Sequence, residues 1–170
     1  MKKGHPEIVL FEPEIPQNSG NIGRLCAATA SRLHMVPPFG FDTSDKNLRR
    51  SGLDYWPYLD LEVANDFDAL LSRSNGRFVF LSKFGTAPYC QIPTDTQLLI
   101  FGRETSGLPI EFMERYPDKF YQIPMFHPSV RSLNLANAVS IVLYDQLAQR
   151  GLIQTPPRTN DDHHSQGTLS

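Results

Sequence analysis

Short runs of consecutive apolar residues recur along the chain, at Ile8–Phe11, Phe78–Leu81 and Leu98–Phe101. None alternates with polar residues. An unalternating run of this length is what a strand shows when both of its faces are covered. His34–Val36, closed by Pro37-Pro38, and Phe120–Ile123 read as two further strands, and the aromatic-rich Tyr55–Val63 as a strand or extended edge. Between them lie segments of helical character. Asn21–Ser31 places Ile22, Leu25, Cys26 and Thr29 on one face, with Arg24 off it. Asp42–Ser51 reads as a short polar helix that Gly52 ends. Asp66 caps a helix running through Ser72, which Asn75-Gly76 closes. Pro109 starts a short helix through Arg115, and Leu133–Arg150 forms the last helix, stopped by Gly151. Strands alternating with helices predict an α/β fold built on a mainly parallel sheet.

A length of 170 residues suits a single domain, expected over residues 1–153. Residues 154–170, QTPPRTNDDHHSQGTLS, are polar and without periodicity, and are expected to be a disordered tail. The net charge of −2 advertises no polyanion partner, so a nucleic-acid site would have to concentrate its cations locally or pool them across subunits. Cys26 and Cys90 are too few for a disulfide framework or a thiolate zinc site, and suit reduced thiols in a cytoplasmic protein. The apolar run near the N-terminus, Ile8–Phe11, is too short for a signal peptide or a membrane span, so no membrane partner is expected.

Several chemistries lack their motif. There is no G-x-G-x-x-G after the first strand, no P-loop and no G-x-S-x-G elbow, and His5, His34 and His127 lack metal-ligand spacing. The loops leaving the strands carry what remains. They hold Asn18 and Arg24, Ser82 and Lys83, Gly102–Gly107, and Ser129–Asn134. Ligands of open α/β sheets collect at such loops. Gly102 and Gly107 flank Arg103 and Glu104 in a segment where backbone can approach a flat ligand, or simply make a tight turn with a surface ion pair. Ser132 and Asn134 stand where a polar loop turns into the last helix, as N-cap candidates beside Arg131. Lys46, Arg49 and Arg50 share one face at i, i+3, i+4 spacing and, with Lys2, Lys3 and Arg131, are candidates for a phosphate-binding surface or a solvated basic face. Tyr55 and Trp56 are candidates to stack a splayed base, or are buried edge aromatics.

Three segments in order, PQNSGNIGRLCAAT (Pro16–Thr29), LLIFGRETSGLP (Leu98–Pro109) and IPMFHPSVRSLNLANA (Ile123–Ala138), resemble the three motifs of the SPOUT superfamily of RNA methyltransferases. The likeness spans about Ile8–Arg150. Within it, EPEIPQNSGNIGRLCA and LRRSGLDYW (Leu48–Trp56) are most similar to the small branch that methylates the wobble ribose of tRNA. The loop at FHPSV is one residue longer than in that branch.

The resemblance implies a deep trefoil knot made by the loops after Leu81, Phe101 and Ile123. It implies S-adenosylmethionine bent within the knot, its adenine among Leu81, Gly102, Ile123 and Leu133, with Glu104, Gly107 and Ser132 also in the cofactor site. Ser132 and Asn134 would stand near the reacting methyl, while Asn18 and Arg24 serve catalysis and RNA contact. The implied substrate is a tRNA anticodon stem-loop methylated on the 2′-hydroxyl of nucleotide 34, cytidine or modified uridine, with S-adenosylhomocysteine as by-product and no metal. The implied assembly is a homodimer through the last helix. That helix carries apolar residues on more than one side, including Ile141, Leu143 and Leu147, and so asks for cover on both faces. Methylation of another tRNA or rRNA position, or a catalytically silent RNA-binding protein on the same fold, are the alternatives.

Overall fold

The computed structural model describes residues 4–41 and 55–153. The segment Asp42–Ser51 with Lys46, Arg49 and Arg50, together with Lys2, Lys3 and the 154–170 tail, lies outside the described residues. The strands are β1 (Glu7–Phe11), β2 (Leu33–Val36), β3 (Leu61–Val63), β4 (Phe78–Leu81), β5 (Ala87–Pro88), β6 (Leu98–Phe101) and β7 (Phe120–Gln122). The helices are α1 (Pro16–Thr29), α2 (Phe67–Arg73), α3 (Ile110–Arg115) and α4 (Leu135–Gln149). The strands form one sheet in the order β3-β2-β1-β6-β4-β7-β5, and every strand pairing is parallel.

The reason the apolar runs do not alternate is visible in the packing. Ile8, Leu10, Leu99 and Phe101 point to one side, where they pack with Ile22 and Cys26 of α1 and Val139, Val142 and Leu143 of α4. Val9, Phe11, Leu98 and Ile100 point to the other, against Leu70 and Leu71 of α2 and Phe112 of α3. Both sheet faces are therefore buried, and each strand needs apolar residues at every position.

Three elements differ from the sequence expectation. The polar stretch Pro16–Gly20 is not a loop but the first turn of α1, which begins at Pro16 rather than Asn21. Proline suits a first helical position. The cap comes from far along the chain: Ile15 offers no side-chain cap, and the Glu104 carboxylate instead accepts from the N–H of Glu14 (2.8 Å), the N–H of Ile15 (3.2 Å) and Nδ2 of Asn18 (3.1 Å). Helix α4 starts at Leu135, capped by Asn134, whose Oδ1 accepts from the N–H of Ala136 at 2.9 Å; Ser132 stands outside the helix. Tyr55–Val63 divides into a 3-10 turn, Trp56–Tyr58, and the edge strand β3. Strand β7 lies between β4 and β5, two strands joined in sequence by loop 82–86. The N–H of Ser82 and the N–H of Thr86 donate to the carbonyls of Tyr121 and Phe120, so the loop straddles β7.

At the opposite end of the sheet from these loops, His34 of β2 is buried beside two carboxylates. Its Nε2 is 2.6 Å from Oε2 of Glu7, and its Nδ1 is at ion-pair distance, 3.4 Å, from Oε2 of Glu62. Burial alone would push the Glu7 carboxyl up. Hydrogen bonds with His34 and Gln97 and the nearby Arg32 outweigh it and hold the group below its ordinary 4.5. Glu62 is held low chiefly by the hydrogen bond from Arg73.

Folded-state values below the ordinary ones mean that the stabilisation is complete above pH about 4.5 and drains away as pH falls through the folded-state values. Glu7→Gln is expected to cost about 1–3 kcal/mol at neutral pH and to flatten the acid limb of a urea-denaturation series. A wild-type slope below pH 4.5 in that variant would contradict the assignment. Glu104→Ala removes the remote cap and should cost about 1–2 kcal/mol, with hydrogen exchange accelerated first at the amides of Glu14 and Ile15 and the first turn of α1.

Candidate active site

Strand β1 pairs with β2 on one side and with β6 on the other, so the chain reverses its winding between β1 and β6. The carboxyl ends of strands at such a reversal part to leave a crevice. A cavity of about 290 Å³ lies there, close to the roughly 300 Å³ at which small-molecule sites begin. Its wall is drawn from Ile15 after β1, Leu81–Phe84 after β4, Phe101–Leu108 after β6, Ile123 and Met125 after β7, and Arg131–Leu135 with Ala138 at the start of α4.

The crevice is laced shut along one seam. Arg103 pairs with Glu12 through Nε (2.7 Å) and Nη2, and both the N–H and the hydroxyl of Thr105 donate to Glu14. Glu104 caps α1 and receives Asn18, and Asn18 Oδ1 in turn accepts from Nδ2 of Asn134 at 3.0 Å. One relay thus runs from the β6 loop through α1 to the N-terminus of α4. Gly102 makes the tightest crossing: a Cβ there would fall 2.4 Å from the carbonyl carbon of Gly107. Across the crevice, a Cβ on Gly85 would fall 2.3 Å from that of Tyr121, where loop 82–86 passes over β7. Both positions present bare backbone because no side chain fits.

The residues singled out in the sequence are distributed as follows. Leu81, Gly102, Glu104, Gly107, Ile123, Ser132, Leu133 and Asn134 all line the cavity, as do Asn18 and Arg131. Asn18 is only 6 % exposed and spends its amide on Glu104 and Asn134. Glu104 holds protein N–H groups rather than an arginine. Arg24 is exposed on α1 and is absent from the cavity wall; its guanidinium carbon lies 5.3 Å above the ring of Tyr55. Tyr55 is 9 % exposed, with its hydroxyl donating to the carbonyl of Gly20, so it is a packing residue and is not available to stack a base. Trp56, 37 % exposed, keeps an open face.

Sequence reasoning missed Ile15, Phe84 and Met125. Ile15 joins the wall because α1 starts early, a consequence of a cap that no local pattern encodes. Phe84, 62 % exposed, stands in the SKFGTAP loop with Lys83 Nζ 5.0 Å over its ring. An aromatic in a glycine-bearing loop at a strand exit was the available signal.

Among the described residues no cluster of three metal-ligating side chains exists, and no helix is long and apolar enough to cross a membrane. Burial pushes the Cys26 thiol up to about 12, leaving it inert, while Cys90 is exposed and also unpaired.

Comparison with known proteins places these features in a family. The SpoU rRNA Methylase family profile matches residues 6–144. A tRNA (cytidine(34)-2′-O)-methyltransferase of Escherichia coli strain K12 is 45 % identical over 147 residues, 85 % of this chain and 93 % of the relative. One of the same name from Methylovorus glucosotrophus is 42 % identical over 146 residues, 84 % and 94 % of the two chains. Among solved structures, one described as giving insights into 2-OH methylation of C/U34 on tRNA superposes with a TM-score of 0.78 at 39 % identity, covering 87 % of this chain and 98 % of that one. An AdoMet-bound rRNA methyltransferase from Sinorhizobium meliloti shares the fold with a TM-score of 0.75 at 24 % identity, over 90 % of this chain and 59 % of its own. A parallel sheet with its crevice at the winding reversal, the three motif loops around it, and these similarities over most of the chain lead to one assignment: the chain belongs to the SpoU rRNA methylase family.

Proposed function

We propose that this chain transfers a methyl group from S-adenosylmethionine to the ribose 2′-hydroxyl of nucleotide 34 of tRNA, in the cytoplasm and as a homodimer. The observation that carries the reading is that all three motif segments meet around a single cavity, in a chain 45 % identical to an enzyme named for that reaction. The catalytic domain is taken to end near residue 153, with the remainder a tail; the family match over 6–144 supports this division.

The cavity fits the cofactor by chemistry as well as size. Leu81, Ile123 and Leu133 offer apolar cover for a flat base, and the side-chain-free crossing of Gly102 and Gly107 leaves backbone within reach of its polar edge. Ser132 and Asn134 supply polar groups at the α4 end. Attraction by charge is not what holds a sulfonium cation here, because the adjoining helix N-terminus carries positive partial charge. Shape and backbone hydrogen bonding do so instead. Strand β7 passing beneath loop 82–86 supports the trefoil knot implied by the sequence motifs.

S-adenosylmethionine brings an electrophilic methyl group; everything else is left to the protein. A ribose hydroxyl is a poor nucleophile at neutral pH and needs placement; as its oxygen gains the methyl group the methyl–sulfur bond breaks, S-adenosylhomocysteine leaves, and the hydroxyl proton passes to solvent. Ser132 and Asn134 hold the acceptor ribose in line. The Glu104–Asn18–Asn134 relay fixes Asn134, leaving it one N–H to offer. Arg24 is too basic to remove a proton and instead grips a nucleotide phosphate and orients the hydroxyl. Positioning then supplies most of the rate.

Arg24 lies six residues beyond Asn18, about 9 Å of helix rise, and outside the cavity wall of its own chain. A dimer resolves that separation by letting the Arg24 of one copy serve the cavity of the other. Helices α1 and α4 cover the same sheet face, and α4 turns Asn137, Ile141, Tyr144 and Ala148 outward at i, i+4, i+7, i+11. Ile141 is 37 % exposed and Tyr144 48 %. This outward stripe, apolar from Ile141 onward with Asn137 at its polar end, is the proposed seam.

Incubation with methyl-labelled S-adenosylmethionine and tRNA from a strain lacking the gene should place 2′-O-methyl at nucleotide 34, read by mass spectrometry of nuclease fragments. Label at another position, or none, would overturn the reading. Ile141→Asp should shift sedimentation from dimer to monomer at micromolar concentration and abolish methylation. A monomeric wild type, or a fully active monomeric variant, would remove the shared site.

A further inference from the structure

We infer that Tyr55 is a positioning residue for Arg24: its ring is a fixed platform that holds the guanidinium in the orientation used to grip RNA. The inference rests on the role given to Arg24 above and adds the group through which that role is exercised.

Two contacts independent of Arg24 immobilise the ring. Its hydroxyl donates to the carbonyl of Gly20. In an α-helix that carbonyl also accepts the backbone N–H of the residue four further on, here Arg24. The platform and the residue it supports are therefore anchored to the same peptide group. One edge of the ring lies on α1 at Gly23, where an added Cβ would stand 3.5 Å from Cε2 and 3.7 Å from the hydroxyl, with Leu59 Cδ2 at 3.2 Å. The ring edge is thus packed directly against the helix at Gly23, beside Leu59. The face is covered by the guanidinium carbon of Arg24 at 5.3 Å, within cation–π range. Burial pushes the Tyr55 phenol up, against the opposing pull of Arg24, so the hydroxyl keeps its proton and donates throughout the neutral range.

The arrangement does for Arg24 what an exposed helix does not. A solvated arginine carries much rotamer freedom, and every rotamer that misses the phosphate must be given up on binding. A guanidinium already stacked on a buried ring has lost part of that freedom before RNA arrives, and its N–H groups make no hydrogen bond among the described residues. The ring asks nothing of the cavity, since Tyr55 is not in its wall.

The test is a double-mutant cycle. Tyr55→Leu and Tyr55→Phe are made in the wild type and in an Arg24→Ala background, with tRNA as substrate and S-adenosylhomocysteine affinity measured by calorimetry as control. Tyr55→Leu should lower kcat/KM for tRNA about tenfold and leave S-adenosylhomocysteine binding unchanged. Tyr55→Phe keeps the platform but loses the Gly20 anchor, so about a threefold loss is expected. In the Arg24→Ala background neither change should lower activity further.

An equal loss in both backgrounds, or no loss in the wild type, overturns the inference while leaving the role of Arg24 intact. Wild-type turnover in Arg24→Ala alone overturns the role of Arg24 itself, and the platform with it. If Tyr55→Leu does not fold, the Tyr55→Phe arm carries the same comparison.

Discussion

The carboxylate of Glu104 is the point on which the active end of the molecule depends. It sits on the loop after β6 and receives two backbone N–H groups at the start of α1 and the amide of Asn18. Hydrogen bonds to a charged acceptor are each worth roughly 1.5–3 kcal/mol, about twice the neutral kind. Because Asn18 passes the connection to Asn134, the same carboxylate is linked to the residue that caps α4. Three segments far apart in sequence are thereby brought to one crevice by a single chain of polar contacts. Arg103 on Glu12 and Thr105 on Glu14 add a second seam between the same two loops. Glu12 accepts a left-handed backbone there (φ 51°), a conformation a non-glycine residue adopts at some cost and keeps only where its surroundings hold it.

Because the relay consumes the side chains of Asn18 and Glu104, polar residues that look catalytic in the sequence turn out to have a prior duty. Asn18 is nearly buried and faces protein at both ends of its amide. Its amide oxygen is held by Asn134, so under the proposed function any contribution to chemistry passes through that residue. Motif residues of this kind are occupied by protein partners, so a list of polar residues at strand exits overcounts the side chains left free to meet a ligand.

What could be read from the chain follows from where the information is local. Burial of both sheet faces writes itself into consecutive apolar residues, so β1, β4 and β6 fell within a residue of their expected limits, and Asp66 opened one helix and Gly151 followed the end of another where their chemistry requires. Long-range effects left no such mark. The start of α1 depends on a carboxylate some ninety residues away, and PQNSG therefore looks like a loop. Strand β5 is two residues long and exists because β7 lies beside it. Tyr55 reads equally as a base-stacking or a buried edge aromatic until its contacts with Gly20 and Gly23 decide for the second. The set of cavity residues was legible because motif order identified it; the division of labour among them was not, because it lies in pairings between segments.

The charge arithmetic sharpens how a chain of net charge −2 addresses a polyanion. Arg32 and Arg73 are tied to Asp60 and Glu62, Arg115 to Asp68 and Arg103 to Glu12. Arg24, Lys83 and Arg131 pair with no carboxylate among the described residues, and the last two lie on the rim of the cavity. Lys83 and Arg131 on the rim offer a phosphate local positive charge without the protein as a whole being basic. Such a field is weak in a single copy. In the homodimer proposed above, a two-fold axis through the α4 stripe would double it and bring Arg24 of one subunit to serve the other. On that proposal the seam at Ile141 and Tyr144 and the phosphate contacts are parts of one device, in which dimerisation supplies the charge that the composition withholds.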